Sequence, residues 1–231
     1  MIVKLVAYTG EPVSVCALAA KTCVSDRIPP MKDMTRFDEN GVCSLRGLEV
    51  AMASGHDSLL EHAAFTFAVQ DVSRALTHQL VRHRIGISFS QQSQRYVNMD
   101  AFDYVIPHTI DDASDDVRHL YMDAMDRIRD VYRELVDAGI PDEDARYILP
   151  NACETNILVT VNARELRHMA EERMCARAQW EIRELVAEMV RQAEEVAPFL
   201  FKKAGPKCRR LGYCPEKKGC GACPGKKDTE E

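Results

Sequence analysis

Apolar side chains recur at helical spacing over residues 114–138, where the pattern of hydrophobic and polar positions is clearest. The apolar stripe consists of Val117, Leu120, Tyr121, Ala124, Met125, Ile128, Val131, Tyr132, Leu135 and Val136. Positions three and four residues apart share one face of an α-helix, so this segment predicts an amphipathic helix. Capping and acidic residues from Asp111 to Asp115 precede the stripe, and Gly139 follows it, which marks both ends.

Shorter patterns predict the other elements. Alternating or β-branched runs indicate strands in "MIVKLVAYT", "HAAFTFAVQ", "DYVIP" and "NILVTVN". Helices are predicted over residues 12–23, 44–54 with Ser44 as the cap, 74–84, 141–150 and about 163–196. Residues 26–41 contain a Pro-Pro pair and an Asn-Gly turn, and are predicted as a loop. These elements favour an α/β or α+β protein with a central mixed β-sheet, flanking helices and helices in the majority.

Composition supports a globular protein and narrows its partners. Hydrophobic residues make up 46% of the 231 positions and charged residues 29%, which suits a packed core. The net charge of −6 gives no general attraction to nucleic acid, so any anion site has to be local. The sequence contains neither signal-peptide features nor a run long enough to cross a bilayer, so we expect a cytoplasmic protein without a membrane partner. Nine cysteines are then expected to be reduced.

Local composition changes after Pro198, where Lys, Gly, Pro and Cys become frequent. We therefore predict a main domain over residues 1–200 and a Lys/Gly/Cys-rich appendage over residues 201–231. Cys208, Cys214, Cys220 and Cys223 in this appendage offer four thiolates, one pair of them in a CxxC arrangement. Zinc binds such thiolates, but the other two spacings are wider than in usual zinc knuckles. The sequence is consistent both with a zinc site and with a tail whose thiols bind no metal.

The segment "RHRIGISFSQQSQRY", residues 82–96, combines cations with short hydrogen-bond donors. Helical spacing would place Gln79, Arg82 and His83 on one side, with Arg84 turned about 100° away. The residues after Gly86 form helices poorly and are predicted as a loop whose backbone N–H and hydroxyl groups suit a phosphate or a pyrimidine edge. Arg95 adds a fork-shaped donor for phosphate. A site for a flat anion and a solvated charged loop are both consistent with this segment.

A second cationic cluster lies in "NARELRHMAEERMCARAQWEIR", residues 162–183. Arg164 and His168 share a helical face, as do Arg173 and Arg177. Nine residues separate Arg164 from Arg173, which turns the second pair almost to the opposite side of a straight helix. The helix therefore either breaks near Met174 or serves two sites, as in an oligomer with pockets between its subunits.

These segments together resemble the flavin-dependent thymidylate synthase family, known as ThyX. The likeness spans roughly residues 1–200 and includes, in the family's order, "GHDSLLEHAAFTF", "QLVRHR", "SQQSQRYV", "ARYILP" and "NARELRHM" with "AQWEIR". One departure is that eight residues, rather than the family's usual seven, separate Arg84 from Ser93. The extra residue falls near Ile85 to Ser88, so the segment from Gln91 onward remains assignable.

The resemblance implies a ThyX-like fold and a methyltransferase that converts dUMP to dTMP. FAD would be the cofactor, methylenetetrahydrofolate the carbon donor and NADPH the reductant, in active sites between the chains of a homotetramer. The implied dUMP-binding residues are Gln79, Arg82, Gln91, Gln92, Ser93, Gln94, Arg95, Arg146 and Arg173. The implied FAD-binding residues are His56, Ser58, Glu61, Arg82, His83, Arg84, Asn162, Arg164 and His168. Arg146 and Arg173 would come from a neighbouring chain.

Arg173 is the expected catalytic residue. Methylation of uracil at C5 needs electron density at that carbon, and one solution is addition of a cysteine thiolate to C6. The central cysteines, Cys153 and Cys175, fit equally well in a core, where a reduced cysteine is usually inert. The hypothesis is that Arg173 instead stabilises negative charge on the uracil ring, against its carbonyl edge.

Two other function classes stay open from the sequence. A different flavoenzyme could modify uridine in RNA, and would need a groove for a polynucleotide. A nucleic-acid-binding module could use Arg82, Arg84, Arg95 and a zinc-binding tail, although the acidic net charge and the low aromatic content argue against it. We therefore expect no nucleic-acid partner.

Overall fold

The computed structural model describes residues 1–28, 30 and 45–221. Most of the predicted loop over residues 26–41, the predicted cap at Ser44 and the thiol of Cys223 lie outside these residues. The strands are β1 (Ile2–Tyr8), β2 (Ala64–Ser73), β3 (Ile87–Gln91) and β4 (Glu154–Asn162). The helices are α1 (Pro12–Thr22), α2 (Arg46–Ala53), α3 (Arg74–Leu80), α4 (His108–Asp111), α5 (Asp115–Asp137), α6 (Asp142–Ala145), α7 (Ala163–Arg173), α8 (Trp180–Val196), α9 (Pro198–Phe201) and α10 (Lys207–Leu211), with 3₁₀ turns at Asp57–His62 and Arg146–Ile148.

The four strands form one sheet in the order β1-β2-β4-β3. Between β4 and β3, the backbone N–H of Asn162 donates to Gly86 and that of Gln92 donates to Asn156, so the residue numbers rise on one strand as they fall on the other. The same opposed register joins β2 to β4 through Arg74 and Cys153. The predicted α+β class with a central sheet and dominant helices is confirmed, and the sheet is antiparallel rather than mixed.

The chain divides into two compact units. Unit 1 comprises residues 1–2, 68–82 and 89–158, and unit 2 comprises residues 3–67, 83–88 and 159–231. In unit 1 the predicted long helix is confirmed as α5, which buries Met125 and Tyr132. Tyr132 belongs to a core cluster with Met99, Phe102 and Cys153. The first turns of α5 leave Val117 and Leu120 exposed, so its apolar stripe is only partly buried.

Unit 2 is built around α7 and α8, whose inner faces are mostly apolar, with one buried glutamate on each helix. Leu166 and Met169 on α7, and Leu185 and Met189 on α8, are completely buried. The chain beyond residue 200 continues this packing, since Phe201 meets Phe65 edge-on with 5.4 Å between ring centroids. Leu200, Ala204, Cys208 and Cys214 are also buried. The division into residues 1–200 and 201–231 stays a prediction.

Three elements differ from the sequence-based expectation. Helix α3 ends at Leu80 rather than continuing to Arg84, so Arg82 and His83 lie beyond it and do not share a helical face with Gln79. The segment after Gly86 was predicted as a loop, but Ile87–Gln91 forms strand β3 and pairs with β4. "DYVIP" forms an isolated bridge between Tyr104 and Cys153 instead of a strand.

The predicted helical region over residues 163–196 consists of two helices. Helix α7 ends at Arg173, and Met174 is its cap. Helix α8 begins at Trp180, where the Gln179 side chain accepts hydrogen bonds from the N–H groups of Glu181 and Ile182. Of the two alternatives that the spacing of Arg164 and Arg173 left open, the structure shows the break near Met174. Within the described ranges, no helix has the length and apolar character to cross a membrane.

Candidate active site

The residues implied by the resemblance separate by unit. Unit 1 contains the dUMP-binding set except Arg173, and unit 2 contains the FAD-binding set except Arg82. Each group is described within its own unit below.

The start of α7 is fixed by a close contact between Asn162 and Gly86. The Asn162 side chain caps the helix by accepting a hydrogen bond from the N–H of Glu165 at 2.9 Å. Its own backbone N–H donates to the carbonyl of Gly86 at 2.8 Å. Gly86 has φ of 69°, and a Cβ at that position would lie 2.2 Å from Nδ2 of Asn162. Both the backbone conformation and the contact therefore require glycine.

His83 is buried at the centre of a chain of three side chains in unit 2. Its Nδ1 lies 2.7 Å from Oε1 of Glu165, and both side chains are almost fully shielded from solvent. Nε of Arg173, at the last position of α7, donates to Nε2 of His83 at 3.0 Å. Because the Nε–H of arginine can only donate, Nε2 of His83 must hold the lone pair. The geometry therefore assigns Nε2 as the acceptor and Nδ1 as the nitrogen that donates to Glu165.

His168 approaches the same ring from the exposed side of α7. Its ring centroid is 6.0 Å from that of His83, with the ring planes 70° apart. Ligand-type atoms of His83, Glu165 and His168 all lie within 4.8 Å of one another, the one such group among the described residues. Both nitrogens of His83 are already hydrogen-bonded, so a cation there would have to displace Glu165 or Arg173.

The other predicted flavin residues lie on accessible surfaces of unit 2. Arg164 Nη1 forms a 2.5 Å ion pair with Oε1 of Glu61, which places the start of α7 beside the 3₁₀ turn at Asp57–His62. His56 and Ser58 near that turn, and Arg84, are exposed. Together these groups offer guanidinium, imidazole and hydroxyl donors, which suit the phosphates of a dinucleotide.

In unit 1, glutamine side chains fix the path of the chain at the end of β3. Gln91 donates through Nε2 to Thr77 at 3.2 Å and to Thr155 at 3.3 Å. Gln92 accepts from Asn156 at 3.0 Å. Gln94 is buried and its Nε2 lies 3.6 Å from the sulfur of Cys153. These contacts fix the chain on both sides of Ser93 and next to Arg95.

Arg95 and Arg146 both contact Glu143. Nε of Arg95 lies 3.1 Å from the Glu143 carboxylate, and Nε of Arg146 donates to the Glu143 carbonyl at 3.0 Å. Ser93 Oγ accepts from the N–H of Arg95 at 3.2 Å. The structure thus brings Ser93, Arg95 and Arg146 together within one chain. Gln79 is half-buried on α3, and Arg82 is exposed after that helix.

Cys153 is not placed as an activated nucleophile. Cys153 is completely buried. Burial raises the pKa of its thiol to about 11, although the nearby Arg74 cation and a hydrogen bond from Gln94 act in the opposite direction. Cys175 follows α7 and lines a cavity of about 230 Å³ whose walls also include Arg173, Cys208 and Cys214.

The zinc hypothesis for the tail stays a prediction. Cys208 and Cys214 are buried, Cys220 is half-buried and Cys223 is not described. In the described part of the chain, no three cysteine sulfurs come within 4.8 Å of one another. Metal analysis of protein purified without chelator would distinguish zinc binding from idle thiols.

Sequence reasoning missed Glu165 and Glu143. The spacing of Asn162 and Glu165 resembles a capping box, which would have explained the glutamate as a helix-start residue. Its burial beside His83 depends on a segment 82 positions earlier in the chain. Glu143 stands in an acidic run, "PDEDAR", that suggests a solvated helix start, and no local signal indicates its contacts with Arg95 and Arg146.

Comparisons with known proteins agree with these features. The family model described as "Thymidylate synthase complementing protein" matches residues 4–199. A flavin-dependent thymidylate synthase from Geobacter sulfurreducens is 48% identical over 219 residues, covering 94% of this chain and 91% of that protein. One from Pyrococcus furiosus is 40% identical over 223 residues, covering 93% of this chain and 89% of that protein.

A crystal structure of ThyX from Helicobacter pylori, complexed with FAD and dUMP, aligns with a TM-score of 0.69. It is 23% identical and covers 89% of this chain and 100% of that chain. At this identity the likeness shows a shared fold. The family predicted from the sequence is therefore confirmed: the chain belongs to the flavin-dependent thymidylate synthases and is an enzyme of the methyltransferase class.

Proposed function

We propose that this enzyme converts dUMP to dTMP with FAD as its cofactor, methylenetetrahydrofolate as carbon donor and NADPH as reductant. The observation that carries the proposal is the anchored guanidinium of Arg173, whose Nε donates to His83. Arg173 is the last residue of α7, the helix that also bears Arg164 and His168 and is capped by Asn162. The activity named for the relatives, and the FAD and dUMP in the Helicobacter pylori structure, support the choice of ligands.

The donor set of unit 2 fits a flavin dinucleotide. His56, Ser58, Arg84 and His168 are exposed, so their hydrogen-bonding groups can reach a ligand without unfolding of the chain. Asn162 and Arg164 are fixed at the start of α7. We infer that these residues, with Glu61, Arg82 and His83, hold FAD, which when bound and reduced supplies the hydride that completes the methyl group.

The nucleotide is proposed to bind through its phosphate to the turn after β3. Ser93 and Arg95 supply a hydroxyl and a guanidinium. The resemblance assigns Arg146 to a neighbouring chain; because it contacts the same Glu143 as Arg95, it is proposed here as a second cation from the same chain. A phosphate dianion would compete with the Glu143 carboxylate for Arg95, because the planar guanidinium can donate two parallel hydrogen bonds to either group. Gln79, Gln91, Gln92 and Gln94 shape this site and orient the base. A homotetramer in which neighbouring chains complete each site is part of the proposal.

Arg173 is proposed to act on the uracil ring. Its Nε is occupied by His83, so its terminal Nη groups are the ones directed to substrate. A guanidinium at the carbonyl edge stabilises the negative charge that develops when C5 attacks the one-carbon unit, an effect of about 3–4 kcal/mol for one well-placed donor in a dry site. The protein then needs no thiolate, in agreement with the buried Cys153.

Colour and isotope release test the proposal. Protein purified without added cofactor should be yellow and should bleach on reduction. With methylenetetrahydrofolate and NADPH it should release tritium from dUMP labelled at C5 and form dTMP. A colourless protein that takes up no FAD, or a flavoprotein that releases tritium from uridine in RNA but not from dUMP, would contradict the assignment.

A further inference from the structure

Glu165 is a buried acid that the ligand-binding set does not include. It is the third residue of α7, it is 8% exposed, and its carboxylate lies against His83 rather than in solvent. Burying a carboxylate is costly unless a donor satisfies it. The Nδ1–H of His83 is such a donor, at 2.7 Å. The position of this acid is therefore set by a tertiary contact and not by the start of the helix alone.

The direction of the hydrogen bonds links Glu165 to Arg173. Imidazole in its neutral form has one donor nitrogen and one acceptor nitrogen, and the acceptor it offers depends on which nitrogen carries the proton. Glu165, as the acceptor beside Nδ1, selects the form with the proton on that nitrogen. Only that form leaves a lone pair on Nε2 for the Nε–H of Arg173, 3.0 Å away.

We propose that Glu165 is a positioning residue, which holds Arg173 in its reactive orientation by fixing the tautomer of His83. The inference rests on the proposed role of Arg173 in dUMP methylation. Without an acceptor at Nδ1, the proton of His83 can move to Nε2, where it meets the Nε–H of Arg173 donor to donor. The arginine then loses its anchor, and a long side chain that is free to rotate stabilises charge at the substrate poorly.

A helix-start role is the competing explanation. An acid in the first turn stabilises a helix through its dipole, and Asn162 with Glu165 has the spacing of a capping box. Such a role would affect the stability of α7 whichever residue occupies position 173. The positioning role instead requires the effect of Glu165 to depend on Arg173.

A double-mutant cycle on the full-length flavoprotein separates the two explanations. Glu165→Leu should lower kcat for dTMP formation about 100-fold, the loss expected for one misplaced charge-stabilising donor. Glu165→Gln keeps an oxygen that accepts from Nδ1, and should retain most of the activity. In the Arg173→Ala background, Glu165→Leu should cause no further loss, because the residue through which it acts is gone. Flavin content and melting temperature are measured for every variant.

Glu181 offers a matched control, because it is a buried acid in the first turn of α8. Glu181→Leu should combine additively with Arg173→Ala, whatever its own cost. Equal losses from Glu165→Leu in both backgrounds would overturn the positioning role. Failure of the unsubstituted protein to form dTMP would instead contradict the proposed function.

The tautomer itself gives a readout that does not depend on activity. In protein with ¹⁵N-labelled histidine, the His83 signals, assigned by their loss in a His83→Gln variant, should show a protonated Nδ1 and an unprotonated Nε2. Glu165→Leu should shift this pattern towards Nε2–H, whereas Glu165→Gln should preserve it. A protonated Nε2 in the unsubstituted protein would refute the proposal.

Discussion

Arg173 combines an observed structural contact with a proposed chemical role. Its Nε donates to His83, and its two terminal Nη groups remain to contact a ligand. We predict that Arg173→Ala lowers the rate of dTMP formation at least about 100-fold, since one preorganised charge-stabilising donor is lost. Bound flavin should remain, because Arg173 is not itself a member of the proposed flavin-binding set. Single-turnover formation of dTMP and the flavin absorbance measure the two effects.

Arg183→Ala is a suitable control for that substitution. Arg183 lies on α8, and its Nη1 donates to the carbonyl of Ala176 at 3.2 Å. Removing a solvent-exposed guanidinium there should leave turnover close to that of the unsubstituted enzyme. Near-normal turnover in Arg173→Ala would contradict the role of Arg173 in charge stabilisation.

For the two central cysteines we predict that substitution leaves turnover nearly unchanged. A thiol whose pKa is raised to about 11 by burial supplies almost no thiolate at neutral pH. The double variant Cys153→Ala, Cys175→Ala should therefore still form dTMP at a turnover number close to the original. Some stability should be lost, because Gln94 loses the sulfur beside its amide. A variant that folds and binds flavin yet forms no dTMP would restore a nucleophilic role.

At this scale, the sequence predicts residues by type and motif but not by tertiary partner. The arginines of the two cationic segments were identified, and the structure joins Arg95 to Arg146 through Glu143 and Arg173 to His83. Glu143 and Glu165 were missed, because their carboxylates contact Arg95 and His83, which lie 48 and 82 positions away in sequence. The relation between the two glutamates and the arginines exists only once the chain is folded.

Among the elements, the contact between Gly86 and Asn162 makes the sharpest prediction. Gly86→Ala should destabilise the protein by about 1–2 kcal/mol through its positive φ. A further loss of about 1 kcal/mol should follow, because the new Cβ displaces the cap of α7. Flavin affinity should fall as well. Chemical denaturation and FAD titration provide the two measurements.

Gly139→Ala separates the two contributions. Gly139 also has a positive φ, of 84°, but a Cβ there would meet nothing within 4 Å. It should therefore show the backbone cost alone, with unchanged flavin binding. Equal destabilisation by the two substitutions would mean that displacing the Asn162 side chain does not lower the stability of the protein.

Sequence patterns predicted the elements well where periodicity is long. Helix α5 was predicted to within one residue at each end because its stripe spans six turns. Helix α3 was overextended, since "VRHR" contains no helix breaker before Gly86. Strand β3 was missed because it owes its conformation to pairing with β4, and its Ser and Gln residues carry no strand signal of their own.

At the scale of the whole molecule, the clearest prediction concerns the stability contributed by residues beyond 199. The family model ends at residue 199, yet Leu200 and Phe201 are 1% exposed and Lys207 and Arg210 form ion pairs with Glu172 and Glu171. A chain ending at residue 199 should lose stability, because each large apolar side chain removed contributes about 1.5–3 kcal/mol. Differential scanning calorimetry should show a clearly lower melting temperature.

A chain ending at residue 221 is the matched control and keeps all of these contacts. It should melt close to the full-length protein. Similar melting of the chain ending at 199 would instead support the predicted boundary at residue 200, with a dispensable appendage beyond it.

The hydrogen bonds of His83 have a consequence for the isotope experiment. Replacing hydrogen by a methyl group at C5 of uracil requires a base, and imidazole is the side chain usually chosen for that task. Here one nitrogen already carries its hydrogen towards Glu165, and the other receives that of Arg173. In the proposed reaction we therefore expect the departing tritium to reach solvent through another acceptor, with charge stabilisation and deprotonation assigned to different groups.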